Sequence, residues 1–159
     1  MALREGEQAP PFALPGGDGR TVTLDELRRR GWIVLYFYPK DDTPGCTQEA
    51  CDFRDLNKQF EKAGAVIVGV SPDGGPSHQK FAAKFRLPFP LLSDVDKKVC
   101  TAYGVWKQKS MYGRAYMGVE RTTVLIAPDG RVAKIYPKVK VTGHADALLA
   151  AVKDHRRGA

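Results

Sequence analysis

Two cysteines, Cys46 and Cys51, are the residues of this sequence whose type and spacing could carry redox chemistry. They lie in the segment PKDDTPGCTQEAC (39–51), which follows an apolar run and opens a stretch with helical spacing of apolar residues. Thr43 is a good N-cap candidate and Pro44 suits the first helical position, so Cys46 falls in the first turn. There the unpaired backbone N–H groups and the helix dipole favour a thiolate, the nucleophilic form of cysteine.

A buried, unreactive thiol is the other interpretation of Cys46, because free cysteines often behave as small hydrophobic residues in protein cores. Considered alone, Cys46 favours that interpretation. The N-cap threonine, the proline and the second cysteine together favour the reactive interpretation.

The five-residue step between Cys46 and Cys51 predicts a conformational change on oxidation. In an ideal helix this step separates the two Cα atoms by about 8.6 Å. A disulfide requires a Cα separation below about 7 Å. We therefore hypothesise that residues 46–51 unwind after Cys46 is oxidised and before a disulfide forms. The Cys-x-x-Cys motif of dithiol oxidoreductases differs, because its sulfurs meet without unwinding.

The pattern of apolar, capping and turn residues predicts alternating strands and helices. Thr23 and Glu26 form a capping box for a short helix that Gly31 ends. The run WIVLYFY (32–38) is typical of a central strand buried on both faces. We predict a hairpin within 11–23, helices at 24–30, 44–63, 76–85, 97–103 and 144–156, strands at 32–38, 65–71, 121–126 and 131–136, a short strand within 87–94, and a glycine- and aromatic-rich connection at 104–118.

This order of elements predicts one α/β domain covering residues 1–159. Its arrangement is that of a thioredoxin-like fold, with a central mixed sheet flanked by helices and an N-terminal hairpin. The stretch with Met111, Tyr112, Tyr116 and Met117 could line an access path, form an interface or cover the core, and the pattern leaves these alternatives open.

Composition argues against several function classes. The net charge is +7, but basic residues are interleaved with acids, and the densest groups, 28–30 and 156–157, fall at predicted helix C-termini, so we predict no nucleic-acid binding. No stretch approaches the roughly 18 apolar residues of a membrane span, and the N-terminus lacks a secretory pattern, so we expect a cytoplasmic protein. Three cysteines and three scattered histidines offer no four-ligand cluster, so we predict no metal site.

The residues around Cys46 resemble the active site of the peroxiredoxins. The family pattern Pro-x-x-x-Thr-x-x-Cys is matched by Pro39, Thr43 and Cys46. The longer string FYPKDDTPGCTQEACDFRD (37–55) is similar to the bacterioferritin-comigratory-protein subfamily, also called peroxiredoxin Q. The resemblance extends over about residues 4–155, nearly the whole chain.

The resemblance implies a role for each matched position. Cys46 would be the peroxidatic cysteine and Cys51 the resolving cysteine. Thr43 would hydrogen-bond near the sulfur and the peroxide. Arg121 would face the cysteine from a later strand, and Glu49 would help to position that arginine. Spacing alone favours a different interpretation of Arg121, as a surface residue of an edge strand. The alternative for Glu49 is a solvated helix residue.

The resemblance also implies an activity. Cys46 would reduce hydrogen peroxide and small organic hydroperoxides, and its sulfenic acid would condense with Cys51 to an intramolecular disulfide. Thioredoxin, or sometimes a glutaredoxin, would reduce that disulfide, and no cofactor, haem or metal is implied. Many relatives with an internal disulfide do not assemble into rings, which favours a monomer. Cys100, on an apolar spacing with Val99 and Tyr103, is predicted to be a core residue.

Two other functions remain as alternatives at this stage. A redox sensor or holdase would use Cys46 oxidation to signal to a partner without turnover. A disulfide oxidoreductase would act on protein thiols without peroxide.

Overall fold

The computed structural model describes residues 3–157, which contain nine strands and five helices. The strands are β1 (Ala13–Pro15), β2 (Thr21–Thr23), β3 (Trp32–Phe37), β4 (Ala65–Ser71), β5 (Leu91–Ser93), β6 (Trp106–Met111), β7 (Arg114–Val119), β8 (Thr122–Ile126) and β9 (Val132–Tyr136). The helices are α1 (Leu24–Arg30), α2 (Pro44–Lys62), α3 (Gly75–Phe85), α4 (Lys98–Ala102) and α5 (His144–Arg157).

Five of the strands form the central sheet, in the order β5-β4-β3-β8-β9. Strand β3 pairs parallel with β4 and antiparallel with β8, while β4 and β5 are parallel and β8 and β9 antiparallel. The strand β3 lies at the centre, and its residues from Ile33 to Phe37 are fully buried. The predicted α/β architecture with a central mixed sheet and an N-terminal hairpin, β1–β2, is confirmed.

The sheet separates two hydrophobic clusters because successive side chains of a strand point to opposite faces. Leu35 packs in the cluster that contains residues of α1 and α4, including Cys100. Tyr36 packs in the cluster that contains residues of α2, α3 and α5, including Cys46. The two buried cysteines therefore belong to different sides of the central sheet.

The beginning of α2 matches the predicted pattern in position and differs in one bond. Thr43 has extended dihedral angles (φ −101°, ψ 156°) and is the N-cap, and Pro44 is the first helical residue. The Thr43 hydroxyl, however, donates to the carbonyl of Lys40 at 2.9 Å and does not accept from a helical N–H. In α1 the expected cap is present, since Thr23 Oγ1 accepts from the backbone N–H of Glu26 at 3.2 Å.

The prediction of a connection at 104–118 is wrong, because β6 and β7 form an antiparallel hairpin there. Tyr112 and Gly113 at its turn have positive φ angles of 51° and 78°, as in the tight turns that join adjacent strands. Most side chains on both faces of this hairpin are exposed, so the sequence lacks the apolar alternation that would reveal its strands. Exposure also excludes the core-covering interpretation for four of its side chains, Met111, Tyr112, Tyr116 and Met117.

Gly31, between α1 and β3, has a backbone conformation that only glycine adopts readily (φ 139°, ψ −149°). A Cβ built on it would overlap the backbone carbonyl oxygen of Gly64. That carbonyl accepts from the N–H of Trp32 at 2.9 Å, so the close approach brings the starts of β3 and β4 together.

We expect Gly31→Ala to lower the free energy of unfolding by about 2 kcal/mol or more, because steric overlap with backbone adds to an unfavourable dihedral angle. Urea denaturation followed by circular dichroism measures the change. Gly64→Ala is the matched control, since Gly64 also has a positive φ (84°) but a Cβ there meets nothing within 4 Å. Equal destabilisation by the two variants would contradict the steric explanation.

Candidate active site

Cys46 lies in the first turn of α2 with only 1% of its surface exposed. The guanidinium of Arg121 approaches it from the residue that precedes β8, and Nη2 donates to the Cys46 sulfur at 3.3 Å. The cationic guanidinium and the N-terminal end of the helix both favour a thiolate at this position. The structure thus brings together two residues that are 75 positions apart in the sequence.

Glu49 holds the other side of the same guanidinium. It follows Cys46 by one helical turn, is 2% exposed, and its Oε1 accepts from Arg121 Nη1 at 2.7 Å. One nitrogen of the planar guanidinium therefore contacts the sulfur while another contacts the carboxylate. Burial opposes the charge of Arg121, but the Glu49 carboxylate and the Cys46 sulfur outweigh it and raise the arginine pKa above its ordinary value.

Burial dominates the protonation of Glu49 itself. It raises the pKa of this carboxyl group from 4.5 to about 7, against the opposing effect of Arg121. Within the described residues, the Glu49 Oε2 atom is buried and has no hydrogen-bond partner. The carboxyl group therefore changes charge near neutral pH beside the Cys46 sulfur.

Cys51 is half-buried and lies on the same helix, which is continuous from Pro44 to Lys62. Cys46, Cys51 and Cys100 are free thiols in this structure. The state described is thus the one in which the predicted disulfide cannot form, because the helix between Cys46 and Cys51 is intact.

Thr43 and Pro39 flank the loop that leads into the helix. Pro39 is half-buried just after β3, and Thr43 is half-buried at the N-cap. Because the Thr43 hydroxyl proton is used in the bond to the Lys40 carbonyl, its oxygen lone pairs remain available to accept a hydrogen bond.

Gly45 is a residue of the site that the motif alone did not single out. A Cβ built on it would lie 3.1 Å from Arg121 Nη2, which is tighter than most carbon contacts in proteins. The absence of a side chain at this position therefore lets the guanidinium approach the first turn of α2. No pattern in the sequence signals this requirement, since it depends on a residue far along the chain.

A second unanticipated group lies beneath the loop, where Asp41, Asp73 and His78 place ligand-type atoms within 4.8 Å of one another. These atoms bond to one another and to backbone. The His78 nitrogens contact Asp41 and the Leu92 carbonyl, and Asp73 accepts from the Asp41 N–H. The cluster is therefore an internal hydrogen-bond network, in which the atoms that could bind a metal already form hydrogen bonds.

Cys100 lies apart from this site. It is fully buried in the cluster on the other face of the sheet, and burial together with the Asp94 carboxylate raises its pKa well above the ordinary thiol value. The prediction that Cys100 is a core residue is confirmed. Among residues 3–157, no helix is both long and apolar enough to cross a membrane.

Comparison with known proteins gives consistent matches over most of the chain. Residues 6–135 match the family model described as the AhpC/TSA family. The chain is 49% identical over 154 residues to peroxiredoxin Bcp of Bacillus subtilis, and the match covers 97% of this chain and 98% of that protein.

Solved structures are also similar. Peroxiredoxin Q of Xanthomonas campestris superposes with a TM-score of 0.86 at 50% identity, covering 91% of each chain. The bacterioferritin comigratory protein of Xanthomonas campestris, studied for its alkyl peroxide reduction activity in trapped intermediate and ligand complexes, gives a TM-score of 0.88 at 46% identity. That match covers 98% of this chain and 99% of the other. These similarities confirm the predicted thioredoxin-like fold.

We compare the free energy of unfolding of Glu49→Gln with that of the original protein. We expect the difference to shift in favour of Glu49→Gln as pH increases from about 5 to 8. The folded-state pKa of Glu49 is near 7 and lies above the ordinary 4.5. The folded protein therefore holds this proton more tightly than the unfolded chain does. The contribution of Glu49 to stability is thus complete below about pH 4.5 and is lost as pH rises to about 7, whereas glutamine stays neutral throughout.

Urea denaturation of both proteins at several pH values measures this difference. Glu7→Gln is the control, because Glu7 is exposed and its replacement removes the same charge without the burial. A stability difference for Glu49→Gln that is independent of pH would show that burial does not perturb this carboxyl group.

Proposed function

This chain belongs to the AhpC/TSA family and is a peroxiredoxin, a thiol peroxidase, and on that premise we propose that Cys46 is its peroxidatic cysteine. The observation that carries this proposal is the partly buried Arg121 guanidinium, which contacts the Cys46 sulfur at 3.3 Å and the Glu49 carboxylate at 2.7 Å. A positive charge fixed beside a buried sulfur stabilises both the thiolate and the anion that leaves during peroxide reduction.

In the proposed reaction the Cys46 thiolate attacks the terminal oxygen of a hydroperoxide. The sulfur–oxygen bond forms as the oxygen–oxygen bond breaks, and the electron pair of the broken bond leaves with the second oxygen. That oxygen departs as hydroxide or alkoxide and takes up a proton to give water or an alcohol, while Cys46 becomes a sulfenic acid. Arg121 neutralises the negative charge that develops on the leaving oxygen.

Thr43 and Pro39 complete the proposed pocket. Because its hydroxyl proton already bonds to the Lys40 carbonyl, Thr43 can accept a hydrogen bond from the O–H of the peroxide. Pro39 lies half-buried just after β3, and its proposed role is to limit the access of water to the loop. Glu49 is the proposed positioning residue for Arg121.

Cys51 is the proposed resolving cysteine. Its thiolate attacks the sulfenic sulfur of Cys46, a disulfide forms, and the sulfenic oxygen leaves as water. The continuous helix between the two residues supports the hypothesis that residues 46–51 unwind for this step, since the ideal Cα separation of about 8.6 Å is too long for a disulfide.

A dithiol protein, thioredoxin or a glutaredoxin, is the proposed reductant, because an intramolecular disulfide is reduced by thiol–disulfide exchange. Such recycling requires a reducing compartment, which supports the cytoplasm as the proposed location. The proposed substrates are hydrogen peroxide and organic hydroperoxides, given the alkyl peroxide reduction studied in the Xanthomonas relative. A disulfide within one helix needs no second chain, which supports a monomer.

We expect Cys46→Ser to lower peroxide-dependent NADPH consumption, measured with thioredoxin and its reductase, by at least about a thousandfold. Cys51→Ser is expected to consume one equivalent of peroxide and then stop, and its intact mass is expected to show no internal disulfide. Cys100→Ser is the control and is expected to retain turnover. Unchanged peroxide consumption by Cys46→Ser would contradict the proposal, and a single stoichiometric oxidation of the original protein without turnover would indicate a sensor.

We expect Gly45→Ala to slow the oxidation of Cys46 by peroxide about tenfold, because the added methyl group displaces the Arg121 guanidinium by a few tenths of an ångström. Stopped-flow kinetics on the reduced protein measures the rate. Gly75→Ala is the matched control, since Gly75 opens α3 and a Cβ there makes only an ordinary contact of 3.9 Å. Equal rates for the two variants would show that the Gly45 contact does not matter.

A further inference from the structure

A buried hydrogen-bond network holds the loop that joins β3 to α2. We call its four side chains, Tyr38, Asp41, Ser77 and His78, the loop anchor. The Asp41 carboxylate lies at its centre and contacts Tyr38 Oη at 2.5 Å, Ser77 Oγ at 2.7 Å and His78 Nδ1 at 2.7 Å. Tyr38 and His78 are fully buried and Asp41 is 7% exposed, so these bonds are shielded from water.

The bonding partners of His78 define where its protons lie. Its Nε2 atom is 2.9 Å from the carbonyl oxygen of Leu92, which can only accept, so Nε2 carries a proton. Its Nδ1 atom faces the Asp41 carboxylate. Burial favours the neutral acid, but hydrogen bonds from His78, Tyr38 and Ser77 outweigh it and lower the pKa of Asp41. An ionised Asp41 has no proton to give, so the 2.7 Å contact requires Nδ1 to donate as well.

The groups that face His78 are consistent with two donating ring nitrogens. Asp41 approaches from the loop, Tyr38 from the end of β3, and Asp73 from the segment between β4 and α3. Two carboxylates therefore lie close to one buried ring. The Lys84–Asp42 pair, which also joins α3 to the loop, is about half exposed and lies outside the loop anchor.

The loop anchor lies immediately before the reactive helix. Asp41 is also bound through its backbone, because its N–H donates to Asp73 Oδ2 at 2.7 Å. The next residue, Asp42, adopts a left-handed conformation (φ 57°) that turns the chain into the N-cap of α2. The position of Asp41 therefore determines where α2 begins, and Cys46 follows five residues later.

The groups that contact Asp41 and His78 lie in α3, in β5 and just after β3, all outside the segment 46–51 that the proposed function requires to unwind. The loop anchor can thus stay intact while Cys46 leaves the site, and it marks the N-terminal limit of the unwinding. Loosening it would let the first turn of α2 move even in the reduced protein.

From this geometry we infer that His78 is a positioning residue for peroxide reduction, which acts as an imidazolium through Asp41 to keep Cys46 aligned with Arg121. This inference rests on the proposed function of Cys46. His78 touches no reacting atom, and its effect is on the balance between the folded and the unwound first turn of α2. Loss of the charge therefore slows the reaction of Cys46 with peroxide and speeds the formation of the disulfide with Cys51.

Two variants of His78 separate its two hydrogen bonds. His78→Gln can keep a donor near the Leu92 carbonyl but loses the donor to Asp41, and His78→Asn can keep a neutral donor to Asp41. We expect His78→Gln to slow Cys46 oxidation about tenfold in stopped-flow measurements and to raise the rate of disulfide formation. His78→Asn is expected to lie between His78→Gln and the original protein.

Resistance to overoxidation distinguishes a positioning role of His78 from a merely structural one. Loss of a merely structural residue would not increase this resistance. Because faster resolution competes with a second peroxide attack, His78→Gln is expected to show less sulfinic acid by intact mass at high peroxide. Lys84→Ala is the matched control on the same helix. It removes an exposed ion pair to the same loop, and we expect less than a twofold change in either rate. Rates for His78→Gln within twofold of the original protein would overturn the inference.

Nuclear magnetic resonance of the original protein tests the charge without any variant. With ¹⁵N-labelled histidine, both ring nitrogens of His78 are expected to give protonated-type resonances at neutral pH. The resonance is assigned by its loss in His78→Gln, and an unprotonated-type nitrogen would overturn the inference. If instead the original protein did not react through Cys46 at all, the proposed function would fail, which the Cys46→Ser comparison detects separately.

Discussion

The contact between the Arg121 guanidinium and the Cys46 sulfur is the interaction on which the rest of the site depends. It joins the first turn of α2 to the residue before β8, and it places a positive charge where the thiol is almost fully buried. Burial alone would favour the neutral thiol, so the charge has to be held close to the sulfur. Glu49 on one side and the missing side chain of Gly45 on the other make that approach feasible.

Much of this arrangement could be predicted from sequence because the signals are local. The N-cap position of Thr43, the proline that follows it and the helical spacing of apolar residues all act within a few positions of Cys46. The buried central strand can also be predicted from sequence, since an uninterrupted apolar run indicates a strand that is buried on both faces. The pairing of Arg121 with Glu49 came from resemblance to a family, because no local pattern relates residues 72 positions apart.

What the sequence could not reveal depends on contacts between distant elements. Asp41 and His78 are ordinary polar residues in the sequence, and their bond exists only because α3 packs against the loop after β3. The β6–β7 hairpin escaped prediction for a different reason. Most of the side chains on both faces of its strands are exposed, so the strands have no apolar periodicity, and they are joined mainly by backbone pairing.

The central sheet also acts as a barrier between thiols. Three cysteines could in principle combine into three different pairs, but Cys100 is enclosed on the side of the sheet opposite Cys46 and α2. Thiol–disulfide exchange between Cys100 and the cysteines of α2 would require the central sheet to open, which amounts to global unfolding. The proposed Cys46–Cys51 disulfide is therefore the one pairing open to the folded protein, without the scrambling that a third accessible sulfur would cause.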